Sequence, residues 1–168
     1  MYIYGIISTI IFLALLPFYY VVRAVNGKFL YGWKEKLGLN HKLSTSRLDR
    51  RNSQPIIMLH GVSVGEVIVL ENLTRKIKET FPDCKIVITT GTKTGQDIAH
   101  KKYADVADYI TYFPFDVPFA VRSFLNKVKP SVILMAETEI WPTFAFCARK
   151  KNIPIYIING RISDSTFR

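Results

Sequence analysis

The chain is poor in the residues that most enzyme chemistries need. Two cysteines occur in 168 residues, Cys84 and Cys147, with no redox or metal-ligand spacing between them. Both read as reduced core or surface thiols rather than a disulfide framework. No cluster of His, Cys, Asp and Glu has the spacing of a metal site, which argues against a metalloenzyme. No G-x-S-x-G elbow presents a serine nucleophile, and no G-x-G-x-x-G or G-x-x-x-x-G-K-[ST] cradles a dinucleotide or nucleotide phosphate. Acids are also scarce: 13 Asp and Glu against 23 Lys and Arg, a formal net charge of +10. A surface of that sign suits nucleic acid or an anionic membrane face. Much of the charge follows an apolar N-terminus, which favours the membrane. No repeat or low-complexity tract interrupts the chain.

Ile3 to Val22 carries no charged residue. Twenty helical residues would span about 30 Å, the thickness of a bilayer's hydrocarbon core. Pro17 is tolerable in such a helix, and Tyr19 and Tyr20 stand where an interfacial belt would lie. A cleaved signal peptide is the rival, but no Lys or Arg precedes the run and no clear cleavage site follows it. Arg23, Lys28, Lys34 and Lys36 follow, so a single-pass anchor with its C-terminal side in the cytoplasm is expected. Residues 26–54 are basic and mixed, either a membrane-surface segment or a linker helix. The expected division is therefore an anchor over 1–25, a juxtamembrane linker over 26–54 and a folded domain over 55–168.

From Pro55 onward, Ile- and Val-rich segments alternate with helical patterns. Strands are expected at Pro55–His60, Lys85–Thr90, Asp108–Tyr112, Ser131–Ala136 and Pro154–Asn159. Helices are expected at Gly65–Thr80, Gly95–Lys102, Val117–Val128 and Trp141–Lys151. Strands with little alternation belong to a parallel sheet covered on both faces. The β-α-β-α order gives an α/β, Rossmann-like domain, and right-handed crossovers favour strand order 3-2-1-4-5.

In that order the switch point lies between the first and fourth strands, where ligands bind beyond the strands' carboxyl ends. Two acidic turns would meet there. One is His60-Gly61-Val62-Ser63-Val64-Gly65-Glu66. Ser63 and Glu66 have the spacing of a capping box, and that structural role competes with a functional one. The other is Glu137-Thr138-Glu139-Ile140-Trp141-Pro142. Its glutamates could merely complement a helix dipole, but grouped carboxylates in a crevice make a site candidate. Thr89-Thr90-Gly91-Thr92-Lys93-Thr94-Gly95 could hold a phosphate or sugar, or be a capped turn. Asp116 could cap the helix that follows it. Arg161, after the fifth strand, suits a phosphate or carboxylate, or is a surface cation. What remains after the exclusions is a general base acting on a hydroxyl.

Taken together, HGVSVGE at His60–Glu66, TTGTKTG at Thr89–Gly95, FPFDVP at Phe113–Pro118, ETEIWP at Glu137–Pro142 and NGRIS at Asn159–Ser163 resemble the 3-deoxy-D-manno-octulosonic acid (Kdo) transferases. WKEKLG at Trp33–Gly38 and the apolar N-terminus extend the resemblance over essentially the whole chain. The family usually has alanine in place of Gly61 and Gly160. The resemblance implies the N-terminal, acceptor-binding half of a GT-B glycosyltransferase that moves Kdo from CMP-Kdo to a lipid A precursor on the cytoplasmic face of the inner membrane. It implies inverting, metal-independent chemistry with no cofactor beyond the donor substrate. It makes Glu66 the general base, kept ionised by its helix N-terminus, and Glu137 a second active-site glutamate. His60, Ser63, Gly65, Thr90 and Arg161 would line the acceptor site. The CMP-binding half of the family lies in a further domain, which these residues do not supply. The alternative is an inactive, membrane-anchored module that binds an acidic lipid or sugar. Nucleic-acid binding through the +10 charge is the weakest reading.

Overall fold

The computed structural model describes residues 4–7, 9–15, 31–39, 54–137 and 139–160. A short helix, α1 (Trp33–Lys36), precedes a regular alternation: β1 (Ile56–Gly61), α2 (Val64–Thr80), β2 (Lys85–Thr90), α3 (Lys93–Tyr103), β3 (Tyr109–Tyr112), α4 (Pro118–Val128), β4 (Val132–Ala136), α5 (Pro142–Lys150) and β5 (Ile155–Ile158). The five strands form one parallel sheet in the order β3-β2-β1-β4-β5. This is the expected Rossmann-like arrangement, with β1 central and the switch point between β1 and β4.

Alternation along each strand sorts the core into two layers. Ile56 and Met58 of β1 and Ile133 and Met135 of β4 pack with Val121, Phe124 and Leu125 of α4 and Phe144 of α5. Leu59 and Ala136 point the other way, toward Val67 and Leu70 of α2 and Ala99 and Tyr103 of α3. Met58 and Leu59, adjacent and on opposite faces, are both fully buried. That accounts for the continuous apolar run in β1, and each such side chain contributes about 1.5–3 kcal/mol by burial.

Two loops hold the carboxyl edge together by long-range capping. Helix α5 begins at Pro142 behind Trp141, whose side chain cannot cap it. Its orphan N–H groups at Thr143 and Phe144 donate instead to Asp116, at 3.1 and 2.8 Å. Asp116 is thus a helix cap as expected, but for α5 rather than for α4, which starts from Val117 with Pro118 in its first turn. Residues 31–39, part of the expected linker, are fixed across the same edge. Glu35 accepts from the Thr111 hydroxyl (2.9 Å) and the Tyr112 N–H (3.1 Å). Lys36 Nζ donates to the Gly91 carbonyl at 3.0 Å and lies over the Tyr112 ring. The Gly38 carbonyl takes bonds from Ser123 and Lys127. Gly32 has φ +71°, and a Cβ there would stand 1.8 Å from the Tyr112 ring. Only glycine fits both demands.

The N-terminal expectation needs correction. Among the described residues no helix is long and apolar enough to cross a membrane. Residues 4–7 and 9–15 are helical, and this helix leans on the domain. The Tyr4 hydroxyl donates to Asp116 at 3.2 Å. Phe12 packs against Phe115 (5.3 Å between centroids), Trp33 (6.4 Å) and Phe119 (6.3 Å). Gly5, Thr9 and Phe12, spaced one turn apart, are the less exposed side. A helix committed to protein along one side is not a lipid-surrounded span. Its other residues, Ile6, Ile7, Ile10, Ile11, Leu13 and Leu15, are all exposed. The rest of the expected span, 16–22, lies outside the described residues.

Candidate functional site at the switch point

Strand β1 ends at Gly61, and Val62 and Ser63 carry the chain into α2. A Cβ on Gly61 would sit 3.1 Å from Glu66 and from the Val67 nitrogen, so the turn closes tightly over the helix start. Glu66 is buried and folds back onto the turn. Its Oε2 accepts from the Val62 N–H at 2.8 Å. Its Oε1 accepts from the Ser63 N–H at 3.2 Å and the Ser63 hydroxyl at 2.7 Å. The capping-box geometry is therefore real. A carboxylate offers about four acceptor sites, so the turn engages most of Glu66 without exhausting it.

The second turn faces it. Glu137 ends β4 with φ +58°, a left-handed bend that lets its N–H continue the ladder to the Ile158 carbonyl at 2.8 Å. Glu139 follows, half-buried. Its carboxyl group is pushed above the usual glutamate range, first by burial, then by the negative charge of Glu66, with Glu137 adding a smaller push. The nearby Trp141 indole opposes this in part, although its N–H closes no hydrogen bond among the described residues. Glu139 therefore feels Glu66 across the crevice that the strand order creates, and Glu137 on its own turn. The acidic turn was visible in the sequence, but Glu139 was not singled out over Glu137. Trp141, two residues further on and interacting with it, was the available signal.

The other expected residues divide. Ser63 and Gly65 are exposed at the crevice, and the space where a Gly65 side chain would project meets only the Ser63 hydroxyl, at 3.9 Å. His60 is instead fully buried. Its ring stacks on Phe113 at 4.0 Å. Nδ1 is 3.2 Å from the Thr89 carbonyl and 3.0 Å from its hydroxyl oxygen. A carbonyl can only accept, so Nδ1 carries the proton and Nε2 is a bare lone pair, without a partner among the described residues. Burial drives the ring's pKa down to about 3, so it is neutral. Thr90 is also fully buried, its hydroxyl bonded to Gln96 at 2.5 Å. Thr92, not Thr90, does the exposed work of that loop: it caps α3 through the Gly95 N–H (3.0 Å) and bonds the Val62 carbonyl (3.2 Å). Arg161 lies outside the described residues. Sequence reasoning missed Lys36, which the 31–39 segment brings to the β2–α3 loop. Burial lowers its ammonium pKa. No local pattern announces a contact made 55 residues away.

Comparison with known proteins identifies the family to which the sequence is similar. A sequence-family model described as 3-deoxy-D-manno-octulosonic-acid transferase (kdotransferase) matches residues 31–168. The chain is 29% identical over 155 residues to a 3-deoxy-D-manno-octulosonic acid transferase of Chlamydia muridarum, covering 92% of this chain and 35% of that protein. It is 36% identical over 107 residues to the enzyme of the same name from Haemophilus influenzae, covering 64% of this chain and 25% of that one. It is also 36% identical over 135 residues to a bifunctional glycosyltransferase/methyltransferase of Fusobacterium nucleatum, covering 80% of this chain and 21% of that protein. The chain thus spans about a third or less of the length of these relatives.

Proposed function

Because the chain belongs to the 3-deoxy-D-manno-octulosonic-acid transferase family, we propose that it is the acceptor-side half of a GT-B Kdo transferase of lipopolysaccharide biosynthesis. The donor is CMP-Kdo, bound by a further domain, and the acceptor is a lipid A precursor. The acceptor's hydroxyl oxygen attacks the anomeric carbon of Kdo as the bond from that carbon to the CMP phosphate oxygen breaks. CMP leaves with the bonding electrons, and the hydroxyl proton passes to Glu66. A carboxylate placed in this way contributes roughly 10²–10⁴-fold. No resident cofactor is required, since the donor carries its own leaving group. Ser63 and Gly65 give the acceptor an open approach to Glu66. Arg161 is assigned to the acceptor's phosphate, and His60 and Thr90 support the site from within the core. The folded domain over 55–168 works on the cytoplasmic face of the inner membrane. The exposed apolar residues of the N-terminal helix and the net charge of +10 hold it to the anionic surface.

One observation carries this reading: β1 and β4 are paired neighbours up to His60 and Met135, so the turns bearing Glu66 and Glu137–Glu139 leave the same edge of the sheet side by side. The same observation supports a second assignment of the base. Glu66 has three donors on its oxygens, whereas Glu139 has a heightened proton affinity suited to taking a proton. Transfer assays with CMP-Kdo and a lipid A precursor decide between them, using the chain together with the C-terminal part of a relative. Glu66→Gln should abolish transfer and Glu139→Gln should leave most of it. The reverse result moves the base to Glu139. Retained transfer in both variants removes general-base catalysis from this crevice. No transfer by any form, with acceptor still bound, would make the chain a binding module.

A further inference from the structure

The helices on the far side of the sheet carry a second cleft that the transfer chemistry does not use. The docked N-terminal helix and the α4–α5 pair enclose a cavity of about 350 Å³, within the size range of ligand sites, roughly 300–1,000 Å³. Ile6, Ile10, Pro118 and Phe146 supply its apolar walls. Arg122 and Cys147 border it and also border a neighbouring cleft of about 310 Å³, whose remaining lining is Asn126, Lys150 and Lys151. An apolar chamber thus runs directly into a mouth with three cations and no carboxylate. Arg122 forms no ion pair or hydrogen bond among the described residues. Lys150 lies over the Phe146 ring, 4.7 Å from its centre, joining the charged mouth to the apolar wall. Lys151 is held by Asn126 at 2.5 Å.

A third feature points to an occupant. Thr143 lines the chamber, is only 4% exposed, and its hydroxyl has no partner among the described residues. Its N–H is already satisfied by Asp116, so the hydroxyl alone is left over. A buried hydroxyl without a bond is destabilising, and an acceptor entering the chamber would relieve that cost. From Thr143 to Lys151 the helix rises about 12 Å at 1.5 Å per residue. Along α5 the site therefore presents one hydroxyl donor, the apolar Phe146 and then the cations, with Ile6, Ile10 and Pro118 completing the apolar wall. We propose that this cleft binds one acyl chain of an anionic phospholipid, its tail against Ile6, Ile10, Pro118 and Phe146, its ester carbonyl on Thr143, and its phosphate at Arg122, Lys150 and Lys151. The cation cluster stands at the far end of α5 from Glu139. The site holds the domain to a lipid independently of which sugar acceptor the crevice takes.

Calorimetric titration of the whole chain below the micelle-forming concentration tests this. The probes are lysophosphatidylglycerol, lysophosphatidylcholine with the same chain, and glycerol phosphate without one. Lysophosphatidylglycerol should saturate at one per chain and bind roughly tenfold tighter than lysophosphatidylcholine, the scale of 1.4 kcal/mol of added charge recognition. Glycerol phosphate should bind far more weakly than either. The exposed triple variant Arg122→Gln, Lys150→Gln, Lys151→Gln should keep its circular dichroism and lose the preference for the anionic headgroup. Thr143→Val should weaken both lysolipids several-fold. Uptake of many lipids per chain would mean adsorption to the exposed helix and would overturn the proposal. So would equal binding of the two lysolipids, an unchanged triple variant, or glycerol phosphate binding as tightly as the lipid. None of these outcomes depends on Kdo transfer.

Discussion

His60 makes the stability of this domain depend on pH in a way that can be calculated. The ring is buried and neutral in the folded state, with its pKa lowered to about 3 by desolvation. In the unfolded chain the same group titrates near its ordinary value of 6.5. Between those limits the unfolded state binds a proton that the folded state refuses, so stability is full above pH 6.5 and falls as the pH drops toward 3. Each pH unit inside the window costs about 1.4 kcal/mol. Between pH 7.5 and 5.0 the His60 contribution is therefore about 2 kcal/mol, a large part of the 5–15 kcal/mol that holds a typical domain together. Other groups also titrate there, so the comparison is with His60→Asn. An asparagine amide can replace Nδ1 as donor to Thr89 but does not ionise. Urea titrations followed by circular dichroism at the two pH values give the answer. The native chain should lose about 2 kcal/mol more than the variant across this interval. Equal losses, within about 0.5 kcal/mol, would mean that the ring accepts a proton in place, and the tautomer and burial argument would be wrong.

Three further outcomes follow from the same contacts. Asp116→Ala removes the cap of α5 and should destabilise the domain by about 1–2 kcal/mol, with Asp116→Asn costing less because one acceptor oxygen survives; thermal unfolding measures both. Glu139→Gln should raise stability at neutral pH, because the folded-state pKa is raised and the charged carboxylate is the disfavoured form there. That gain should disappear below pH 4.5, where the carboxyl is protonated in both states; urea midpoints across pH trace it. Gly32→Ala combines a left-handed backbone with a 1.8 Å approach to Tyr112 and should cost more than the roughly 1 kcal/mol of backbone strain alone. Faster hydrogen exchange at the Tyr112 N–H would report the loosened 31–39 segment.

The sheet was legible because its cause is local. Five Ile- and Val-rich runs, each closed by a turn, leave few arrangements once crossovers are right-handed, and strand ends moved by only a residue or two. The site was legible to the same extent: chain order and handedness place the Glu66 and Glu139 turns together. What stayed hidden depends on partners far along the chain. Asp116 precedes α4 in sequence, but the helix lacking a cap is α5, behind Trp141. Glu35 and Lys36 look like the polar face of a membrane-surface segment until Thr111, Tyr112 and Gly91 are seen to receive them. The apolar N-terminus matches a membrane span in composition, yet Gly5, Thr9 and Phe12 form a stripe that only the domain surface gives meaning to. His60 and Thr90 sit within motif stretches, but they lie at the ends of strands covered on both faces, and that coverage buries them whichever way they point.

Glu66 shows why the structural and functional readings of the first turn need not compete. A capping glutamate normally faces its own backbone, and this one does, through Val62 and Ser63. Those bonds hold the carboxylate in one orientation, which a flexible side chain on an open surface would not keep. One acceptor position remains, and the neighbouring Gly65 leaves the space in front of the turn open. Of the three donors, only the Ser63 hydroxyl can rotate away without unwinding the helix start. It is therefore the contact through which an incoming hydroxyl could exchange places on Oε1, while the two backbone N–H groups keep the carboxylate aimed. The Glu139 carboxyl on the facing turn is raised first by burial and then by the charge of Glu66. Under the proposed role of Glu66, the cap is the device that would position the base, and the glycine-bounded turn is what would allow one side chain to do both.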